Sequence, residues 1–373
     1  METKLPYSAK LLISLLCVSI IVWWMFVLQE ILILLSFSVL FAMLLFPLCH
    51  FLEKWYFPRT LAIFVCLLIT LAIVVGLVSL ASMQLADLSD ELPAFQRKAE
   101  GLMNNLQTWA AKNFNISRKK QVTEFRNQSL NLLKNSGYIV TNSLTAIANS
   151  LSSMALIPIF VFFFLHYRDF FRNFFYKVFF RSKKTKIDTI LQKIYTVVQS
   201  YLLGLVMVII IVATLNTIGL MILGIEYAMF FGTLAAFLLL IPYIGIMIGS
   251  LLPIIMALIT KDSPLYAVGV AGVFLFVQFL EGNFITPHIV GSKVSINPLA
   301  AMIVLVLGGQ LWGISGLVLA LPFIAILKVV FDNIEALKPY GYVLGEPEFD
   351  RPVRPQKIPK ESKKNETSAE EQK

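Results

Sequence analysis

Charge is what this chain has least of. Of its 373 residues only 14% are Asp, Glu, Lys or Arg, while 58% are hydrophobic, and mean hydropathy is +0.78. A soluble domain carries about 25% charged residues, so a water-facing surface cannot be covered and a polytopic membrane protein is expected. Histidine and cysteine are scarce too, at three each. Cys17, Cys49 and Cys66 lie in or at the ends of apolar runs with no CxxC or HExxH string, which speaks against a disulfide framework and the common zinc motifs. No GxxxxGK[ST] string occurs, so the chain has no evident ATPase motor of its own. No cofactor and no metal is expected.

Stretches free of Asp, Glu, Lys and Arg mark the candidate spans: 11–29, 31–52, 60–86, 135–167, 194–225, 227–260, 263–280 and 294–327. A spanning helix needs about 20 apolar residues, and only 263–280 falls slightly short. The expected fold class is all-α, an integral membrane protein with about eight hydrophobic spans. The first run follows Lys4 and Lys10 without a small-residue cleavage site, so it reads as a retained signal-anchor helix.

The loop from Arg168 to Lys193 carries eight Lys and Arg, the tail from Arg351 to Lys373 seven, and the 50–59 turn Lys54 and Arg59. The positive-inside rule therefore puts both termini and these loops in the cytoplasm. The stretch 87–134 has eight basic residues as well, but long segments translocate largely regardless of charge. The net charge of +9 sits in a membrane-adjacent loop and a Pro/Lys/Glu-rich tail, so lipid head groups, not nucleic acid, are the expected partner.

Five regions follow: transmembrane helices in 1–83, an extracytoplasmic helical segment in 84–140, a helix with a basic-aromatic interfacial continuation in 141–200, a transmembrane core in 201–335, and a disordered cytoplasmic tail in 336–373. In the second, Leu85, Leu88, Leu92, Phe95, Ala99, Leu102, Leu106 and Trp109 form a heptad seam. Pro93 is expected to interrupt it, with the stable helix starting near Glu91. A weaker seam runs from Val122 to Ile139, and the two seams fit either a self-packed hairpin or contact with another copy. The string FVFFFLHYRDFFRNFFYKVFFR at 160–181 alternates aromatics with cations, as a helix lying in the membrane interface does.

The two longest charge-free stretches, 227–260 and 294–327, have 34 residues each. A straight helix of that length would extend about 51 Å, against about 30 Å of hydrocarbon. The first is broken at Ile241-Pro242-Tyr243-Ile244-Gly245 and the second at Gly308-Gly309-Gln310-Leu311-Trp312-Gly313-Ile314-Ser315-Gly316. Paired Gly/Pro-interrupted segments point to a transporter binding site, and the two stretches are either single crossings or re-entrant hairpins. Between them lie Glu281, Asn283, Thr286 and His288. An ionisable group near membrane depth is by default a functional-site hypothesis, although Glu281 ends an uncharged run and a solvated loop fits as well.

These residues resemble the AI-2E family of bacterial membrane transporters. The Ile-Pro-Tyr-Ile-Gly turn is Ile241 to Gly245; a Glu-x-Asn…Pro…Gly…Pro series is Glu281, Asn283, Pro287, Gly291 and Pro298; a closing Gly-Gly…Gly-x-x-Gly…Pro is Gly308, Gly309, Gly313, Gly316 and Pro322. Pro158, Phe163, Phe164, Leu165 and Arg168-Asp169 resemble the family's mid-chain segment, so the likeness covers about 140–335. Ile246 stands where the family usually has Pro. The resemblance implies a homo-oligomeric, pentameric transporter of the bacterial inner membrane, exporting autoinducer-2 in some members and exchanging sodium for protons in others.

The functional expectation is a secondary transporter of a small polar solute, with Pro242, Tyr243, Gly245, Glu281, Asn283, Thr286, Gly308, Gly309, Gln310 and Gly313 along the pathway. Cation/proton antiport ranks second, with Glu281 the main carboxylate and Glu226 a weaker one; a scaffold or channel is the remaining alternative. Gly313-Ile-Ser-Gly316 resembles a rhomboid GxSG, but His50, His166 and His288 all precede Ser315, so the chain is not expected to be an enzyme.

Overall fold

In the structure, a computed structural model, residues 6–114, 155–241, 244–291 and 296–346 are described. Among them there is no strand. The first half comprises α1 (Tyr7–Val27), α2 (Gln29–Lys54), α3 (Arg59–Phe114), α4 (Leu156–His166) and α5 (Arg168–Val178). The second comprises α6 (Lys184–Ile222), α7 (Ala228–Leu238), α8 (Ile244–Thr260), α9 (Leu265–Leu280), α10 (Pro298–Asn333) and α11 (Lys338–Leu344). Two π-turns, Glu281–Ile285 and Pro287–Gly291, continue α9.

Among the described residues six helices are long and apolar enough to cross a membrane: Tyr7–Val27, Gln29–Lys54, Arg59–Gln84, Lys184–Ile222, Leu265–Ile289 and Pro298–Asn333. Leu156–His166, Ala228–Leu238 and Gly245–Thr260 are apolar but shorter. The α1 helix shows why burial is no guide here. It is apolar on every side and exposed along nearly its whole length, as suits a helix whose solvent is lipid. Two hydroxyls inside the spans are satisfied locally: Ser38 Oγ donates to the Leu34 carbonyl (2.7 Å) and Thr70 Oγ1 to that of Cys66 (2.8 Å).

The break expected at Pro93 is absent: α3 is one helix of 56 residues running through it. Proline costs a helix about 3 kcal/mol, but a full stop would leave four amides and four carbonyls without partners. The seam from Val122 to Ile139 lies outside the described residues. Residues 336–346, assigned to the tail on composition, are folded. The Asn297 amide donates to the Leu344 carbonyl (3.0 Å), and its side chain donates to the carbonyls of Val343 (2.6 Å) and Gly345 (3.1 Å).

That contact determines how α10 must run. A straight 36-residue helix would hold its ends about 54 Å apart, yet Asn297, its N-cap, touches the segment just after its C-terminus. The chain reverses at Trp312 (φ −130°, ψ 18°) and Gly313 (φ 59°, ψ −137°), a conformation essentially reserved for glycine. Beyond the reversal the two arms meet backbone to backbone: a Cβ on Gly308 would stand 2.6 Å from the Gly316 carbonyl oxygen, and one on Gly316 would collide with the Gly308 carbonyl. The stretch 227–260 does the same. A Cβ on Gly245 would strike the Leu238 carbonyl, and one on Gly249 would lie 2.9 Å from the Ala235 Cα. Where this hairpin starts and ends, a Cβ on Gly224 would lie 3.6 Å from Lys261 Nζ.

α6 is the post around which these parts assemble, packing against α7, α9, α10 and both π-turns. Ion pairs fasten α5 to α2 and α3. Arg168 donates to Glu53 (2.7 Å) with its guanidinium over the Phe46 ring, and Arg59 donates to Asp169 (2.8 Å) and to the Leu165 carbonyl (2.9 Å).

Candidate functional site

Glu281 is not at the end of a span. The helix that begins at Leu265 continues through the π-turns, and Leu265–Ile289 is a single 25-residue candidate crossing. One turn before the carboxylate, Val277 joins a buried cluster with Val208, Val212 and Ala236; one turn after it, Ile285 packs on the same cluster, as do Leu239 and Ile289. Residues 208–212 are the middle of the charge-free run 194–225, and Leu239 caps α7 two residues before the first break begins. Glu281 is therefore level with the middle of the charge-free part of α6 and with the tip of the first hairpin.

The π-turn makes its surroundings. The Thr286 amide donates to the Glu281 carbonyl, five residues back, as π-winding requires. In an α-helix the side chains of i and i+5 would point well apart; the wider turn brings Thr286 Oγ1 over Glu281 Oε1, to which it donates. Gln278 Nε2 donates to the other oxygen, Oε2, at 2.8 Å. A carboxylate has about four acceptor positions, so two remain for a cation, a proton or a hydroxyl of a solute. Pro287, without an amide hydrogen, opens the second π-turn.

Of the residues singled out in the sequence, Glu281 and Thr286 come together, and Gly245 is buried against the Leu238 carbonyl at the end of α7. Asn283 turns away, exposed, with its side chain donating to the Phe279 carbonyl (2.9 Å). His288 Nδ1 likewise donates to the Phe284 carbonyl (2.8 Å). Pro242 and Tyr243 lie outside the described residues. Glu226 is exposed in the turn that starts the first hairpin.

Gly308, Gly309, Gln310 and Gly313 form a separate group. Among the described residues α10 packs extensively on α6, α2, α1 and α11, not on the first hairpin or the π-turns. Gly308 and Gly316 form the crossing of the two arms, and Gln310 is exposed on the first arm. At the tip, Trp312 Nε1 donates to the Met25 carbonyl (3.0 Å), pinning the reversal to α1.

Three polar residues were passed over in the sequence. Gln278 was visible one turn before Glu281. Asn216 is 3% exposed on α6, and its Oδ1 has no hydrogen-bonding partner among the described residues. Thr217, beside it, presses its hydroxyl against Gly232 on α7. An amide inside an otherwise apolar span is a signal in its own right.

The sequence pattern of the AI-2E family transporter matches residues 12–336. Bacillus subtilis putative transport protein YueF is 28% identical over 306 residues, covering 78% of this chain and 80% of the relative. Putative transport protein YrrI of the same organism is 27% identical, covering 83% and 87%. Escherichia coli AI-2 transport protein TqsA is 25% identical over 297 residues, covering 78% and 83%. With its helices, its two doubled-back segments and this match over nearly its whole length, the chain belongs to the AI-2E family of membrane transporters.

Proposed function

We propose that this transporter exports a small polar solute, of the autoinducer-2 kind that the name of TqsA carries, across the cytoplasmic membrane. The observation that carries the reading is the pair of Gly/Pro-broken segments that fold back on themselves, with the Glu281–Gln278–Thr286 cluster level with the first tip. Broken helices at membrane depth leave backbone donors and acceptors facing a pathway. The two groups of pathway residues flank α6, so solute passes from one to the other as access alternates. The test is efflux of autoinducer-2-like solutes from proteoliposomes. Export should fall at least about ten-fold in Glu281→Gln and less in Asn283→Ala, whose side chain faces away; equal rates in wild type and Glu281→Gln would sink the assignment.

Cation/proton antiport is the second reading, and the level of Glu281 favours it, since exchange needs a carboxylate inside the span. Internal pH after a sodium pulse separates the two. Proton movement that needs both sodium and Glu281 makes antiport the activity, and a flat trace from inserted protein removes it.

Both doubled-back segments act as re-entrant hairpins entering from opposite sides, with the termini in the cytoplasm. Supporting this, each has its two ends together: Gly224 near Lys261, and Asn297 against Leu344. Cysteines placed at 261 and 293 should then label from outside and inside respectively; the reverse pattern would restore single crossings. The long α3, carrying its heptad seam past the membrane, suits assembly into a homo-oligomer, with a pentamer expected by mass measurement in detergent.

A further inference from the structure

The corner between α5 and α6 carries more positive charge than the protein neutralises. From Arg168 to Lys193 there are eight Lys and Arg and two acids, Asp169 and Asp188. Both acids are engaged: Asp169 accepts from Arg59, and Asp188 accepts from Arg172 (2.8 Å) and from the Tyr176 hydroxyl. Glu53 takes Arg168, and Lys193 donates to Asn333 (2.8 Å). Lys177, Arg181, Lys183, Lys184 and Lys186 are left, all exposed within ten residues and with no acid partner among the described residues.

The helix that leads to them is held at a fixed attitude. Arg168 and Asp169 tie its start to the α2–α3 turn, and Arg172 with Tyr176 ties its middle to α6. These tethers use one side of α5. The other presents Tyr167, Phe170, Phe171, Phe174 and Val178, spaced by three or four residues and all exposed; Phe170 is 65% exposed and Phe180, just beyond the helix, 75%. An apolar stripe of aromatics bordered by unneutralised cations matches the acyl boundary below a layer of phosphate.

We propose that this corner is a binding surface for anionic phospholipid head groups in the leaflet facing the basic loop, the five cations holding the phosphates and the exposed aromatics entering the acyl boundary. A helix merely floating at the interface would have no fixed register to its head groups. Here the ion pairs set one, so anionic lipid should accumulate at this corner over zwitterionic lipid.

The test uses the full chain with p-benzoyl-phenylalanine at position 180, in bilayers mixing phosphatidylglycerol and phosphatidylcholine. The readout is the ratio of the two lipids cross-linked on irradiation. The ratio should exceed the bulk composition several-fold at low salt and fall toward it in high salt. Replacing Lys177, Arg181, Lys183, Lys184 and Lys186 with Gln should bring it down close to the bulk composition. Replacing five tail cations (Arg354, Lys357, Lys360, Lys363 and Lys364) should leave it near the native value. The Lys183→Gln/Lys184→Gln pair, a milder change, should give an intermediate ratio. A native ratio equal to the bulk composition, no fall in the five-fold and two-fold variants, or an equal fall in the tail variant would overturn the proposal. None of these outcomes depends on which solute is transported.

Discussion

Replacing Gly316 with Ala tests whether the two arms of α10 truly lie face to face. In a straight helix residues 308 and 316 would be about 12 Å apart, and a methyl group at either would be harmless. In the structure a Cβ on Gly316 collides with the Gly308 carbonyl and lies 3.1 Å from the Trp312 Cβ. The obstacle is backbone, which cannot rotate away, so the arms must separate. Overpacking costs about 1–3 kcal/mol, and this contact belongs at the upper end. Gly308→Ala meets the Gly316 oxygen at 2.6 Å and should cost about as much. Gly309→Ala is the control, since it meets only the Leu317 side chain, at 3.1 Å, and a rotamer change relieves that for below about 1 kcal/mol.

The protein carries its own reporter. Cys49 and Cys66 are fully buried between α2, α3 and α4, and α2 packs on α10. A fluorogenic thiol reagent therefore reads unfolding once the exposed Cys17 is replaced by Ser. Gly316→Ala and Gly308→Ala should each lower the melting midpoint by several degrees, and Gly309→Ala by less. Because both clashes are relieved by one separation of the arms, the double variant should cost less than the sum. A Gly316→Ala midpoint equal to wild type, with Gly309→Ala lower, would refute the reversal at Trp312–Gly313.

Three further outcomes follow from the contacts. Alanine at Glu53 and Arg168, singly and together, should show a coupling of about 1 kcal/mol, larger than that of Arg59 with the mostly exposed Asp169, when thermal midpoints are compared. Asn297→Ala removes the cap of α10, worth about 1 kcal/mol, together with the side-chain bonds to Val343 and Gly345. Limited chymotrypsin digestion should then cut faster at Tyr340 and Tyr342. Thr286→Val keeps the shape but deletes the donor to Glu281, so transport in proteoliposomes should fall several-fold at an unchanged melting midpoint, with Thr286→Ser restoring it.

The helical class and both breaks were legible because composition and Gly/Pro placement act locally. What the sequence concealed depends on how segments meet. That α10 folds back on itself rests on Asn297 lying against Leu344, a contact across 47 residues that no run of hydropathy records. The ion pairs that tie the start of α5 to α2 and α3 join residues 110 and 115 positions apart and are equally invisible. The level of Glu281 is hidden in the sequence for a different reason. Spans were delimited by charge, so a carboxylate inside a crossing must appear to end one, whatever its true level. Its neighbours show its level: Val277 and Ile285, both apolar, pack on the middle of the charge-free part of α6 on either side of it. The same rule made Lys193 and Lys261 into boundaries: Lys193 lies inside α6, whereas Lys261 does follow the end of α8. A cation at the end of an apolar run has solvent to reach; Glu281 instead has Gln278 and Thr286, the latter delivered by a π-turn whose extra residue per turn leaves no mark in the periodicity of so short a stretch. A charged residue that divides two apolar segments, with an amide three or four residues before it and a hydroxyl five after, is thus better read as lying inside one longer helix than as a loop between two.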